Sequence, residues 1–591
     1  MRANTLRSMC NLKAFALLLA LGVVGSSATP LADTQLPDGA RMLVASAFQR
    51  AVKQFIEAEL KLYPERATAL GDHRFDARVD DDSAAGIKRI VSHANRWAKI
   101  FRAFDANSLS PNSEADREWL LANIDGELLR TARMRSYERD PGMYLPTAGV
   151  YELIQRNFAP ARVRMRSVTA REKAALANLQ AARATLKPER VPQVAIDIVL
   201  EQMPATLTFF RASLPKAFDK VSDGPDKESF HEANARVMSA IDDYGKWLRT
   251  TLRPRARGSY AIGADAYRRM LADEDMVDTP LDKLEQIGEI EMRRLQQQFA
   301  ATAKLVDPKH SPVEVATALG REHPIANKVI SSVSAGLSSI RAYVISHHLA
   351  RVPSKVEPIV AETPPFMRAT TFASMDSPGP FERTTEAYFY VTLPDPAWPR
   401  EKQEQLLAFY SPPTISDTSV HEVYPGHYVQ FLINRLNHDL VREIYDSGAD
   451  VEGWALYCEQ MMLDEELHNN DPRFRLAQLQ MALLRACRYL VAIRMHTRGM
   501  TITQATAFFE KNAYQNHHNA EVEARRGTED PGYLRYQLGK LMILKLREDL
   551  RRKEGAAFSL GEFHDAFLSE GAIPVPLIRR AMLGESSGPP L

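Results

Sequence analysis

Two things are scarce in this sequence: cysteine and net charge. Three of its 591 residues are cysteine, and 75 Lys and Arg residues nearly balance 74 Asp and Glu residues. So few thiols exclude a small scaffold held together by disulfides. Near-neutral charge argues against a nucleic-acid-binding protein, because the phosphate backbone is bound through clustered Lys and Arg. We therefore expect a small or neutral partner and no nucleic acid.

The three cysteines do not suggest a disulfide framework. Cys10 lies near the N-terminus, whereas Cys458 and Cys487 lie in apolar stretches with helical period. Free cysteine packs as a small hydrophobe in such stretches, although one disulfide is an alternative in an exported protein. We predict two free, buried thiols.

The N-terminus carries the features of a leader. Basic residues precede an apolar run over residues 14–24, and small residues follow it. This order is typical of a secretory signal peptide, and the run is too short to span a bilayer. We predict a signal peptide over residues 1–28, with cleavage after Ala32 as an alternative. The mature protein would then be exported, periplasmic or secreted, and soluble, with no stable membrane span.

Most of the chain after the leader has helical period, with apolar residues three and four positions apart and charged residues between them. The clearest stretches are residues 48–60, 171–186, 192–214, 232–252, 281–305 and 328–349. We therefore predict a mainly α-helical protein. A chain of this length is expected to divide its core over two or three lobes.

One stretch interrupts the helical pattern. Residues 352–404 are rich in proline and contain β-forming residues at 387–393, bounded by Pro394. This predicts a short strand in a small sheet beside the following helices. We therefore divide the mature chain into an N-terminal helical region (29–351), this strand-containing connection, and a C-terminal catalytic region (405–591).

Residues 421–428 read HEVYPGHY and have the composition of a catalytic zinc site. Zinc binds imidazole nitrogen and carboxylate oxygen, and a catalytic site uses three protein ligands and leaves one position for water. His421 and His427 are candidate ligands. Glu422 is placed to remove a proton from water as general base.

The spacing of the two histidines excludes a regular helix. A separation of six residues would place them on different faces at about 100° per residue. Pro425 removes the hydrogen bond to the carbonyl of His421, and Gly426 tolerates unusual dihedral angles. We therefore predict a helical bulge that brings His427 beside His421.

Glu452, in the segment EGWALY, is the candidate third ligand. Asp450 is a good helix N-cap, which would place Glu452 in the first turn of a helix. Glu459, two turns further on, would hydrogen-bond a ligand histidine. The alternative without a metal is that the histidines cap or line a helix and Glu452 is a solvated carboxylate at the start of a helix. The combined motifs favour one Zn²⁺ ion, with manganese or cobalt left open.

These motifs resemble a known bacterial family. Residues 421–427 (HEVYPGH), 452–457 (EGWALY) and 530–541 (DPGYLRYQLGKL) are similar to the family catalogued as domain of unknown function 885. That family resembles gluzincin metallopeptidases such as angiotensin-converting enzyme, and dipeptidyl peptidase III similarly has a longer gap between its motif histidines. The resemblance implies a two-lobed helical metallopeptidase-like fold with a deep substrate cleft.

The resemblance also implies roles outside the ligand set. Gluzincins use tyrosine or histidine to stabilise the oxyanion, which implies Tyr536 first and His496 second as catalytic donors; core packing is the alternative for each. Independently of the resemblance, Arg526 precedes the Asp-Pro-Gly turn and is a candidate to bind a peptide carboxylate, with a solvated arginine as the alternative. Tyr533 in the same turn is a candidate to support the site or contact substrate. The strand with Tyr390 could pair with an extended peptide, as in related peptidases, or simply pack in the core.

The sequence therefore predicts an exported zinc metallopeptidase that cleaves peptide bonds, with a small peptide or amide as substrate. A zinc amidase or deacylase acting on a non-peptide amide shares the same metal chemistry and stays an alternative. A periplasmic binding or scaffold protein with a vestigial metal site is the alternative from another class. It predicts no hydrolysis and little dependence on Glu422.

Overall fold

The computed structural model describes residues 38–368, 371–584 and 588–591. The predicted signal peptide and Cys10 lie outside the described residues. Within them the protein is mainly helical with one small sheet, which confirms the predicted fold class at that level. The two lobes and the deep cleft stay predictions.

The first half of the described chain consists of helices joined by short turns. Several begin with proline in the first turn, where its missing N–H group has no helical partner to lose. The helices are α1 (Asp38–Leu62), α2 (Pro64–Ala69), α3 (Ala84–Arg102), α4 (Pro111–Leu128), α5 (Thr147–Gln155), α6 (Ala161–Thr185), α7 (Gln193–Thr208), α8 (Leu214–Lys216), α9 (Pro225–Trp247), α10 (Ala264–Glu274), α11 (Leu281–Val306), α12 (Pro312–Gly320) and α13 (Val329–Ser346).

The C-terminal part is also helical and contains all the predicted metal ligands. Its helices are α14 (Arg400–Leu407), α15 (Pro412–Glu422), α16 (His427–Asn434), α17 (Leu440–Ile444), α18 (Gly448–Asp464), α19 (Pro472–Thr497), α20 (Ile502–Ala513), α21 (His517–Glu529), α22 (Arg535–Glu554), α23 (Leu560–Ser569) and α24 (Val575–Leu583).

Three short strands lie between these groups in the sequence: β1 (Ile359–Glu362), β2 (Ala373–Asp376) and β3 (Tyr388–Val391). β3 is central; it runs parallel to β1 and antiparallel to β2. The strand predicted at residues 387–393 is therefore confirmed as β3. β2 contacts α15 and α16, so an edge of the sheet lies beside the metal motif.

Buried apolar side chains form two clusters in the described residues. The larger draws on residues 48–129, 267–350 and 387–578, and α19 lies inside it in contact with α11, α15 and α20–α22. The smaller is built from residues 144–256, which include α5–α9. The larger cluster includes residues on both sides of the predicted boundaries at 351 and 404, and the metal motif lies within it.

Two described helices are long and apolar enough by composition to cross a membrane, Ala326–Ser346 and α19. In α19, 89% of the most apolar window is buried inside the protein, against 28% in Ala326–Ser346. α19 is therefore accounted for as a core helix. The expected absence of a membrane span after the leader stays a prediction.

Other local predictions are confirmed. Each of the six stretches with helical period lies largely within an observed helix, although residues 209–213 and 248–252 close their helices as wider π turns. Cys458 in α18 and Cys487 in α19 are free and buried, as predicted.

Candidate metal centre

The metal motif lies where one helix ends and the next begins. α15 ends at Glu422, the chain turns through a cis Tyr424–Pro425 bond, and α16 begins at His427. A β-carbon on Gly426 would lie 1.8 Å from the carbonyl oxygen of His421, so only glycine fits here. The irregularity is thus a complete break rather than the predicted bulge. It brings the two histidine rings together, with centroids 4.9 Å apart.

Glu452 comes from α18, which begins earlier than predicted. Ser447, not Asp450, is the N-cap: its hydroxyl accepts a hydrogen bond from the N–H group of Asp450. Asp450 is buried inside the first turn, where its carboxylate accepts a hydrogen bond from Gln430 at 2.7 Å. The N-cap prediction is wrong because Ser447 also donates to buried Asp275 at 2.9 Å, a tertiary contact that local sequence does not show.

Trp454 joins α18 to the turn between the two histidines. Its side chain is fully buried, and its Nε1–H group donates to the carbonyl of Pro425 at 2.9 Å. A helix break leaves backbone groups without helical partners, and buried ones need a substitute. The tryptophan of the EGWALY segment supplies one.

α18 and α22 cross at two glycines. A β-carbon on Gly539 would lie 1.6 Å from the carbonyl oxygen of Ala449, and one on Gly453 would lie 2.5 Å from the backbone of Gly539. Any larger side chain would push the helices apart. This close approach allows Glu452 of α18 and Tyr536 of α22 to line the same cavity.

Three side chains bring their ligand atoms together. Those of His421, His427 and Glu452 all lie within 4.8 Å of one another. Glu452 Oε2 is 3.7 Å from Nε2 of His421 and 3.6 Å from Nε2 of His427. In tetrahedral zinc with bonds of about 2.0–2.2 Å, two ligand atoms lie about 3.4 Å apart. The three residues therefore fit one such ion with little movement.

The charges around these atoms favour a cation. Glu452 Oε2 is buried and has no hydrogen-bond partner within the described residues. Burial would lower the pKa of His421, but the carboxylates of Glu452 and Glu459 outweigh it and raise that pKa to about 10. Burial would raise the pKa of Glu452, but the two histidines hold it well below its usual range. A divalent ion that displaces the histidine protons would meet the same demand for positive charge.

Glu459 orients one of the histidines. Nδ1 of His421 donates to Glu459 Oε1 at 2.7 Å, and Glu459 is 1% exposed. A histidine that donates through Nδ1 keeps the lone pair of Nε2 for a metal. The contact predicted for Glu459 is therefore present. Nδ1 of His427 is buried and has no hydrogen-bond partner in the part of the chain that the structure describes.

A cavity of about 360 Å³ opens onto these atoms, and Glu422 lines it directly beside His421. Residues of the edge strand β2 also line it: Ala373, Ser374 and Met375. β3, in contrast, pairs with a neighbouring strand on each side. Of the two alternatives for the strand with Tyr390, addition of an extended peptide is excluded, because that strand has no free edge.

Tyr536 lines the same cavity, and its ring centre lies 6.5 Å from that of His421. Burial, followed by the negative charge of Glu452, raises the pKa of Tyr536 to about 12. The phenol therefore stays protonated at neutral pH and can donate a hydrogen bond.

Three other candidate residues have packed surroundings. His496 is 1% exposed, contacts a backbone carbonyl through Nε2 at 2.8 Å, and is not among the described residues that line the cavity. The hydroxyl of buried Tyr533 donates to Glu523. The hydroxyl of Tyr390 pairs with that of Tyr151 at 2.9 Å. The structure brings none of the three to the ligand atoms.

Sequence reasoning missed two arginines on the cavity wall. Arg485 and Arg488 lie one turn apart on the apolar helix α19 and line the cavity together with the predicted Arg526. Their Cζ atoms lie 5.9 Å and 5.3 Å, respectively, from the ring centre of Tyr536. The sequence did contain one indication of a role, because both arginines lie inside an apolar helical stretch. Arginine is rarely buried in such a helix unless it has a partner.

The fold and the site define a mainly helical protein with two histidines and a glutamate meeting at one cavity. The family described as "bacterial protein of unknown function (DUF885)" matches residues 64–582, so the chain belongs to this family. No curated protein matches the chain. The resemblance to gluzincin peptidases stays a prediction.

Two solved structures are similar to this chain over nearly its whole length. A "putative lipoprotein of unknown function" from Shewanella oneidensis is 26% identical, with a TM-score of 0.76, covering 91% of this chain and 99% of that one. A "putative lipoprotein" from Colwellia psychrerythraea is 19% identical, with a TM-score of 0.75, covering 92% and 98%. The second likeness shows the fold alone.

Proposed function

We propose that this protein is an exported zinc-dependent hydrolase that cleaves peptide bonds in short peptides. The observation that supports this most is the meeting of ligand atoms from His421, His427 and Glu452 at a cavity that Glu422 also lines. Amide hydrolysis needs a polarised carbonyl, an activated water and a proton for the leaving amine. In this proposal the metal ligands, Glu422 and Tyr536 would together serve these requirements.

His421, His427 and Glu452 would hold the metal, and zinc bound there would supply a Lewis acid that polarises the scissile carbonyl and acidifies a water molecule. Glu422 takes a proton from that water and passes it to the leaving amine. Two imidazoles and one carboxylate form a zinc donor set, and metal analysis decides between zinc, manganese and cobalt.

Two further residues support the chemistry. Tyr536 donates its O–H group to the negative charge that develops on the carbonyl oxygen. Glu459 holds the ring of His421 in the orientation that presents Nε2 to the metal. His496 has no part in this scheme, because it lies in the core away from the cavity wall.

Export is the second part of the proposal. Residues 1–28 have the order of charge, apolar run and small residues that a signal peptide needs. The relative from Shewanella oneidensis, at 26% identity, is described as a "putative lipoprotein of unknown function". In this chain Cys10 precedes the apolar run, so it cannot carry a lipid after cleavage behind that run. We therefore propose a chain that is soluble once its leader is removed.

Metal content and hydrolysis by Glu422→Gln test the proposal. We expect the wild type to bind about one zinc ion per chain and to cleave members of a mixed peptide and acyl-amide library. Glu422→Gln should keep the metal and lose activity by about 10²- to 10⁴-fold. His518→Ala removes an exposed histidine and should change neither property.

Each alternative predicts a different result. A zinc-loaded Glu422→Gln variant with full activity would refute the proposed base. Cleavage of acyl amides alone would identify an amidase or deacylase instead of a peptidase. A zinc-loaded wild type that hydrolyses no member of the library would favour a binding protein with a vestigial site.

A further inference from the structure

We infer that the cavity binds the free C-terminal carboxylate of a peptide through Arg526, so that the enzyme releases short C-terminal fragments. This inference rests on the proposed hydrolase function and adds a substrate class to it. It begins from the three arginines, Arg485, Arg488 and Arg526, that line the cavity together with the proposed metal ligands.

Arg488 already has a carboxylate partner within the protein. Its Nε and Nη2 atoms donate to the two carboxylate oxygens of Glu523, each at 2.7 Å, in a buried pair. The hydroxyl of Tyr533 donates to the same carboxylate. The single negative charge of Glu523 is therefore already shared between two donors. It does not provide a full counter-charge for a second arginine.

Among the described residues, no carboxylate lies within hydrogen-bond distance of Arg526. Its Cζ atom lies over the ring of Tyr533, 5.1 Å from the centre, and within the described residues Glu523 acts on it only through longer-range charge. The neighbouring Arg525 differs, because it pairs with Glu201 at 2.8 Å. A half-buried guanidinium that lines a cavity without a partner suits a ligand that brings the anion. The planar fork of arginine matches a carboxylate with two hydrogen bonds.

Arg485 adds to the positive charge of this wall. Its Nε atom is buried and has no hydrogen-bond partner in the described residues, and its Nη2 atom lies 3.9 Å from Glu459. That distance is too long for a direct hydrogen bond. The carboxylates of Asp417, Glu422, Glu452 and Glu459 also line the cavity. Of the three arginines, however, only Arg488 has a carboxylate within hydrogen-bond distance among the described residues, which favours an anionic substrate group at the other two.

The ring contacts limit how far this subsite lies from the metal ligands. The ring of Tyr536 is 6.5 Å from that of His421 and 5.3 Å from Cζ of Arg488, and the ring of Tyr533 is 4.8 Å from Cζ of Arg488 and 5.1 Å from Cζ of Arg526. Joined end to end, these contacts bound the separation of His421 from Arg526 at about 22 Å. An extended peptide spans about 3.5 Å per residue. An extended peptide that reaches from the metal ligands to Arg526 therefore needs about six residues or fewer.

Matched peptides test the inference by binding as well as by cleavage. The probes are one peptide as the free acid, the same peptide as the C-terminal amide, and an amide that carries glutamate near its end. Each is titrated calorimetrically into zinc-loaded Glu422→Gln protein and separately digested by the wild type. We expect the free acid to bind about 10- to 100-fold more tightly than the plain amide. We also expect the wild type to release a fragment of at most about six residues from its C-terminus.

Variants of Arg526 and of the adjacent Arg525 test which of these arginines produces the preference for the free acid. In the wild-type background, Arg526→Gln should raise KM for the free acid about 10- to 100-fold with little change in kcat, and should abolish the preference over the amide. Arg526→Lys keeps the charge and should retain part of the preference, and it serves as the test if the glutamine variant does not fold. Arg525→Gln should retain all of it, because that side chain pairs with Glu201 instead.

Equal binding of free acid and plain amide would overturn the inference. A preference that persists in folded Arg526→Gln would overturn the role of Arg526. If the glutamate amide binds as tightly as the free acid, the subsite recognises an acidic side chain, and the assignment to the C-terminus is wrong. A preference in binding without any hydrolysis by the wild type would support the subsite while contradicting the proposed function.

Discussion

The crossing of α18 and α22 allows one methyl group to test how the fold builds the metal site. In Gly539→Ala the new β-carbon would lie 1.6 Å from the carbonyl oxygen of Ala449. The backbones must therefore separate by more than about 1 Å to restore normal contact. Overpacking costs about 1–3 kcal/mol of unfolding free energy, and the better helix propensity of alanine returns at most about 1 kcal/mol. We expect a net loss of about 1–2 kcal/mol.

The same substitution should weaken metal binding. Glu452 precedes Gly453, which packs against Gly539 at the crossing. A shift of about 1 Å in a ligand degrades the coordination geometry that zinc requires. Urea unfolding followed by tryptophan fluorescence measures the loss of stability, and competition with a chelator measures the loss of zinc affinity.

Gly336→Ala is the matched control. Gly336 lies in α13, and apart from its chain neighbours and the backbone of its own helix, no atom of the described residues lies within 4 Å of the position of a β-carbon there. We expect this variant to gain about 0.5–1 kcal/mol, because only helix propensity changes, and to keep its zinc affinity. If Gly539→Ala matches Gly336→Ala in stability and in zinc affinity, the close crossing does not determine the geometry of the site.

Three further predictions concern single side chains. Glu459→Gln should weaken zinc binding about 10- to 100-fold in chelator competition; unchanged affinity would contradict its orienting role. Tyr536→Phe should lower kcat about 100-fold with little change in KM for a peptide, and a normal kcat would remove the phenol from the mechanism. Burial would raise the pKa of Glu523, but Arg488 lowers it from 4.5 to about 2. Its stabilisation, about 3 kcal/mol, is therefore present above the unfolded pKa and is lost as pH falls toward 2. Between pH 5 and pH 3 the free energy of unfolding, measured by urea denaturation, should fall more for the wild type than for Glu523→Gln. Equal falls would contradict the lowered pKa of Glu523.

The sequence predicted the site where local chemistry left few choices. Proline and glycine between His421 and His427 are incompatible with a regular helix, so a distortion that joins the histidines followed from the residues themselves. Glu459 lies two turns from Glu452 on one helix, and helical period alone placed it on the same face. The helices and the strand were predictable for the same reason, because their patterns are local.

Three differences from the sequence predictions concern contacts between distant segments. Ser447 became the N-cap of α18 because Asp275, far away in the sequence, accepts its hydroxyl. Peptide addition to the strand with Tyr390, one of two alternatives, is excluded because strands on both sides pair with it, and the order of strands in a sheet cannot be predicted from one strand. Arg488 was missed because its partner Glu523 belongs to another helix.

Anomalous diffraction at the zinc edge, from crystals of the protein grown with zinc, tests the central claim most directly. The predicted result is one strong peak about 2.0–2.2 Å from Nε2 of His421, Nε2 of His427 and a carboxylate oxygen of Glu452. The absence of a peak at these three residues in zinc-containing crystals would contradict the proposed metal centre. It would also contradict the hydrolase mechanism, which depends on that centre.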